Sequence, residues 1–174
     1  MISDDPKALL QKRARILAQK ITGADRKEQG LEVVAFHLGD EFYGVEKEFV
    51  QEVFPLSEFT SLPGVPDFVY GVVALRGQVI SLMDLRVVFD IARPAADKAC
   101  FSILFVRHGD LVTGLLADTV AGVQFVAPDR IFPPLPAMTR NKMAYVKGVT
   151  PESMILLDIA ALLDDPERIV RQED

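Results

Sequence analysis

The chain has 174 residues, a formal charge of −6, nearly half apolar side chains, a single cysteine and no tryptophan. That length suits one large domain or two small ones with a substantial core. The acidic balance argues against general nucleic-acid binding, and the lone Cys100 excludes intrachain disulfides and thiolate clusters. No apolar run approaches the roughly 18 residues of a membrane span. Met1-Ile-Ser-Asp-Asp5 lacks the basic start and apolar segment of a signal peptide, so a cytoplasmic protein is expected.

In chain order, Asp5-Pro6 opens an expected helix, with Asp5 as cap and Pro6 at its first position. Leu10, Ala14, Leu17 and Ile21 recur at helical spacing, Leu9 and Ile16 widen the stripe, and the helix ends near Thr22-Gly23. Residues 1–30 carry seven basic and four acidic groups, a net of +3, which leaves −9 for the rest of the chain. This basic amphipathic extension is expected to lie outside the folded body or to dock on it.

Leu31–Leu38 reads as a strand, Gly39-Asp40-Glu41 as a turn and Phe42–Val45 as the return. Phe49–Phe54 alternates, with Val50 and Glu52 on one side and Phe49, Gln51 and Val53 on the other. An irregular Pro- and Gly-rich connection leads to a hairpin, Val72–Leu75 and Gln78–Met83, joined by Arg76-Gly77. Gly77 supplies the positive φ such a turn needs, and Arg76 stands at its tip. Asp84 then caps a short helix beginning at Leu85, which Val87, Val88 and Phe89 dock on the core. Ala92–Lys98 is a linker by composition. Strands follow at Cys100–Arg107, Leu111–Leu116 and Val120–Val126, the first two joined by the turn His108-Gly109-Asp110. Pro128–Pro136 is expected as an exposed extended loop. Tyr145–Val149 and Met154–Leu157 are the last strands, and Asp158 caps a helix over Ile159–Leu163 before a charged tail, residues 164–174.

Two halves of this pattern repeat. At an offset of 70 residues Gly39-Asp40 falls on Gly109-Asp110, Gly44 on Gly114, Val50 on Val120 and Val53 on Val123. With a longer offset, Gly71-Val72 falls on Gly148-Val149, and Ile80–Asp84 on Met154–Asp158. Each unit, about 31–91 and 99–163, holds about five short strands and one helical turn. An open sheet of that size leaves exposed edges, so the units are expected to close into two similar barrels. The fold class is all-β with short helices, and strands are free to exchange between the barrels.

Chemistry is sparse. The equivalent residues Asp84 and Asp158 raise an aspartic dyad, but each follows a strand and precedes an apolar helical turn, the setting of a cap. His37 and His108 lack metal-ligand spacing, so no metal site is expected. No phosphate loop, dinucleotide fingerprint or Gly-x-Ser-x-Gly serine occurs. Cys100 opens an apolar strand and reads as a buried thiol. No catalytic residue and no cofactor are expected. A nucleic-acid-binding barrel, the remote alternative, needs a basic groove with exposed aromatics. The body here is acidic, and Phe36, Phe42, Phe49 and Phe105 occupy core positions.

The run Phe36–Val45, then Val50-Gln-Glu-Val53, Leu62-Pro63, Pro66, Phe68–Val72, Leu75-Arg-Gly77 and Asp84-Leu-Arg86 together resemble the chemotaxis coupling protein family, CheW. The resemblance spans about Leu31 to Leu163 and is carried in the second half by Gly114–Val123 and Ile155–Asp158. It implies a non-enzymatic adaptor of two five-stranded SH3-like barrels. Its implied partners are the cytoplasmic tip of chemoreceptors and the regulatory domain of the histidine kinase CheA, with no nucleic acid and no direct membrane insertion. Val50, Glu52, Gly71 and Arg76 match positions tied to receptor contact and coupling. The chain departs from the family pattern at Ala74, where asparagine is usual, at Ser81, where proline is usual, and in its longer basic N-terminus. A scaffold of a non-motility chemosensory pathway fits the same residues.

Overall fold

The computed structural model describes residues 30–92 and 101–168, together with Gln11. The expected N-terminal helix, most of the linker, Cys100 and the end of the tail lie outside the described residues. In the first unit the strands are β1 (Leu31–Leu38), β2 (Glu41–Glu46), β3 (Val50–Pro55), β4 (Val69–Leu75) and β5 (Gln78–Met83), followed by helix α1 (Leu85–Val88). The second unit has β6 (Ser102–His108), β7 (Leu111–Ala117), β8 (Thr119–Val126), helix α2 (Arg140–Met143), β9 (Val146–Val149), β10 (Met154–Leu157) and helix α3 (Ile159–Asp164). Several bounds move from expectation. β4 starts at Val69 rather than Val72, and His108 ends a strand rather than opening a turn. A 3-10 turn, Pro128–Arg130, interrupts the proline-rich loop. The single turn α2, capped by Thr139 Oγ1 accepting from Lys142 N–H, was not expected at all.

The strands form two five-stranded sheets, ordered β8-β1-β2-β10-β9 and β3-β6-β7-β5-β4. Each draws on both sequence units. Replacing every strand by its repeat equivalent (β1 by β6, β2 by β7, β3 by β8, β4 by β9, β5 by β10) turns one order into the other. The two SH3-like barrels are therefore related by an internal twofold with three strands exchanged. Each closes the same way. The chain beyond β3 reaches β4 through a bridge between Thr60 and Val72, and the chain beyond β8 reaches β9 through one between Phe132 and Val149. Both bridges are double, with N···O distances of 2.8 and 2.8 Å in the first and 2.9 and 2.8 Å in the second.

Three apolar clusters follow from this arrangement. Val33, Ala35, Met154 and Leu156 fill one barrel, and their equivalents Ile103, Phe105, Ile80 and Leu82 fill the other. Between the barrels lies a larger core, lined from both units by matched pairs: Val34 with Leu104, Phe36 with Val106, Met83 with Leu157, Leu85 with Ile159. Alternation along each strand thus sends one face into a barrel and the other into the shared core. Gly44 and Gly114 stand where partner side chains cross: a Cβ at Gly44 would lie 2.6 Å from Met154 Sδ, and one at Gly114 would lie 2.7 Å from Leu82 Cδ2.

The short helices seal the shared core, and both expected caps are present. Asp84 Oδ1 accepts from Arg86 N–H and Asp158 Oδ1 from Ala161 N–H, each at 3.0 Å. The two carboxylates each cap their own helix and form no dyad. Arg86 is the largest fully buried side chain. Its Nη2 pairs with Asp118 Oδ1, and its guanidinium stacks 5.0 Å from the centre of the Phe101 ring. Asp118 Oδ2 also accepts from Gly39 N–H at 2.6 Å, and Asp118 N–H donates to the His37 carbonyl at 2.9 Å. One carboxylate between β7 and β8 therefore ties α1 to the β1–β2 turn.

Candidate partner-binding site

Barrel closure brings β3 alongside the β4–β5 hairpin, and with it three of the four sequence-selected residues fall on one seam. Val50 opens β3, half-buried and packed against the shared core. A bulge separates it from Glu52 in the pairing with β6, so both stay half-buried while Gln51 and Val53 face out. Arg76 begins the hairpin turn with φ +50° and Gly77 completes it with φ +78°. Both central residues are left-handed, as a type I′ turn requires, so Arg76 as well as Gly77 carries the positive φ. An arginine there costs about 1–2 kcal/mol relative to glycine.

The turn aims the arginine back at β3. Arg76 Nη2 pairs with Glu52 Oε1; the arginine side chain is 73% exposed and the glutamate 24%. Glu52 Oε2 is buried and has no hydrogen-bond partner among the described residues. The pair therefore presents one free guanidinium face to solvent over a carboxylate with an acceptor still open. An exposed pair of this kind adds roughly 0–1 kcal/mol of stability. Its local strain and open acceptor mark a surface shaped for something other than stability.

Gly71 serves the seam differently. A Cβ there would sit 2.6 Å from the Thr60 carbonyl oxygen and 2.8 Å from Phe59 Cδ2. It is a steric necessity of closure, and it is buried within β4. Gly148 repeats the situation in the other barrel, 2.6 Å from the Phe132 carbonyl oxygen. Around the charge pair lie exposed apolar side chains that periodicity assigned to no site: Val53, Phe54, Phe59 and Leu62. Their signal in the sequence was only the irregular connection after β3. Among the described residues no three His, Cys, Asp or Glu side chains gather to hold a metal. No helix among them is long and apolar enough to cross a membrane.

A duplicated pair of barrels bearing a charged hairpin seam has the build of an interaction scaffold. The model of the CheW-like domain matches residues 32–167, and the chain belongs to that family. Chemotaxis protein CheW of Klebsiella aerogenes is 30% identical over 141 residues, covering 79% of this chain and 84% of that protein. Protein FrzA of Myxococcus xanthus is 36% identical over 110 residues, 63% of this chain and 66% of its own. Among solved structures, scaffolding protein TtCheW from Thermoanaerobacter tengcongensis superposes with a TM-score of 0.69 at 27% identity, covering 81% of this chain and 98% of that one.

Proposed function

We propose that this chain is a cytoplasmic, non-enzymatic adaptor that couples the tips of chemoreceptors to the regulatory domain of the histidine kinase CheA, with Val50, Glu52 and Arg76 on the receptor-facing surface. Family membership supports the adaptor role. The observation that carries the site is the Glu52–Arg76 pair, an exposed arginine held in a strained turn over a half-buried carboxylate. The chain itself catalyses nothing in this reading; it changes the phosphorylation rate of its kinase. Charge at such a surface sets orientation and partner choice more than raw affinity.

Charge exchange tests the assignment. Arg76→Glu and Glu52→Arg each weaken pulldown of a receptor cytoplasmic fragment and lower kinase activation, while the thermal midpoint stays near that of the parent. In the double swap, recovery of binding with coupling above about 0.5 kcal/mol shows that the two residues act chiefly on each other. Failure to recover shows that each meets the partner directly. Parent-level binding and kinase activation in both single variants would overturn the site. A scaffold in a non-motility pathway is the second reading, favoured by the similarity to Protein FrzA; a pulldown from the native host separates the two.

A further inference from the structure

β5 and β7 run parallel, yet they pair only at Leu82↔Gly114 and Met83↔Leu115. The equivalent strands of the sister sheet, β10 and β2, are joined from Met154↔Phe42 through Leu156↔Gly44. By the repeat, Met154 and Phe42 correspond to Ile80 and Val112, which are not joined. Beyond Ser81 and Thr113 the two hairpins splay, leaving a groove of about 760 Å³ lined by Leu62, Val72, Val79 and Leu111, with Arg107 and Asp110 also in its wall. Val79 is 51% exposed there.

The groove is edged by backbone as well as by side chains. Val72 exchanges both of its bonds with Thr60, at 2.8 Å each, and so turns its polar groups away from its register partner Ser81. In an antiparallel pair such residues alternate, so Ser81 and, two residues back, Val79 direct N–H and C=O toward β7. The Ser81 carbonyl accepts from Thr113 Oγ1 at 3.0 Å, which agrees with that direction. At Ser81 the family pattern has proline, which has no N–H to offer.

The described chain ends beside this gap. Leu163 and Arg168 line a smaller cleft together with Ser81, Met83, Leu111 and Thr113, residues that continue into the groove. The next six residues are Ile169-Val-Arg-Gln-Glu-Asp174. Extended, they reach about 20 Å, whereas β5 from Ser81 back to Gln78 runs about 10 Å. Two β-branched apolar residues come first, level with Leu111 and Val79. Arg171, Glu173 and Asp174 follow toward Asp110 and Arg107, with opposite charges available to both signs.

We propose that residues 169–174 enter the gap between β5 and β7 as an added strand, bonding to the Val79 backbone and burying Ile169 and Val170 on Leu111 and Val79. The barrel that carries the charged seam is then completed by the chain's own tail. Any extended partner segment must displace that tail to use the same slot.

Amide hydrogen exchange on the labelled full chain, compared with a chain stopped after Arg168, tests this. Truncation is expected to abolish protection of the Val79 amide and to shift the amide resonances of Ser81, Leu111 and Val112, while β1 and β2 stay unchanged. Val170→Asp in the full chain is expected to do the same. Equal Val79 exchange in full and truncated chains overturns the proposal, as does a loss of protection spread evenly over both barrels. Protection that vanishes on dilution assigns the slot to the tail of a second copy and overturns the intramolecular form.

Discussion

Gly71 and Gly148 offer a matched pair of perturbations. Neither has a positive φ, so alanine costs nothing in backbone torsion and the whole effect is steric. At both, the new Cβ would stand 2.6 Å from a carbonyl oxygen, that of Thr60 or that of Phe132. Relief requires that carbonyl to retreat, which pulls the closing segment off its two bridge bonds. Overpacking costs about 1–3 kcal/mol, and two strained or lost hydrogen bonds cost roughly 1 kcal/mol each. The stiffer unfolded chain of alanine offsets about 0.4–1 kcal/mol. The net is a loss of about 2–3 kcal/mol, or a fall of roughly 4–12 °C in thermal midpoint for a chain of this size. Calorimetry should show similar falls for Gly71→Ala and Gly148→Ala. Only Gly71→Ala disturbs the seam that carries Arg76, so only it should also weaken receptor-fragment binding measured well below the transition. A midpoint within 1 °C of the parent in either variant refutes the steric account (the 1 °C is about a third of a kcal/mol). Equal binding losses in both refute the link between seam and site.

Two further outcomes follow. Arg86→Met leaves Asp118 without its cation; a fully buried pair would cost about 3–5 kcal/mol to break. Asp118 is a quarter exposed and keeps its Gly39 bond, so about 2–3 kcal/mol is expected in urea denaturation. A variant as stable as the parent would remove the tie from α1 to the β1–β2 turn. Burial, then the hydrogen bond it donates to Glu41, raises the Tyr43 phenol above its ordinary value. A raised folded pKa gives stability that is whole below the unfolded value, about 10, and is lost as pH rises beyond it. The urea midpoint of the parent should therefore fall more steeply above about pH 10 than that of Tyr43→Phe; parallel profiles refute the assignment.

Much of the fold is legible because alternation and turn residues are local. β1, β5, β10, both capped helices and the equivalence of Gly39-Asp40 with Gly109-Asp110 all stand where periodicity and turn chemistry put them. What stayed hidden is non-local. No local pattern says that β3 joins β6 while β8 joins β1; that choice is made by matched side chains meeting in the shared core. Gly71 was visible as a repeated glycine, but its reason, a carbonyl arriving from Thr60, depends on a bridge between distant residues. Arg86 was read as part of a motif, yet nothing local distinguishes a fully buried arginine from an exposed one; its partner Asp118 is 32 residues away. For the site, the hairpin tip and the alternation of β3 placed Arg76 and Glu52 on surfaces, and their meeting followed from closure. α2 was missed because one helical turn carries no apolar period.

The internal twofold separates what the frame needs from what the protein does with it. Features present in both units are those that closure and packing demand: the turn glycines, the crossing glycines Gly44 and Gly114, the closing glycines Gly71 and Gly148, the capping aspartates. Features present once mark the differences between the barrels. Glu52 corresponds to Gly122, so the second unit has no counterpart of the seam pair. Arg86 corresponds to Ala160, and Asp118 to Glu48, so the buried tie is also single. The β9–β10 turn is shorter than the β4–β5 hairpin, and the β5–β7 gap has no equal between β10 and β2. All three single features belong to the barrel built from β3 to β7 or bolt it to its sister. A scaffold made of two nearly identical barrels must tell its partners apart, and it does so where the symmetry is broken. The charged hairpin, the open strand slot and the lock that fixes their setting therefore form one functional half, and the other barrel supplies the surface against which that half is held rigid.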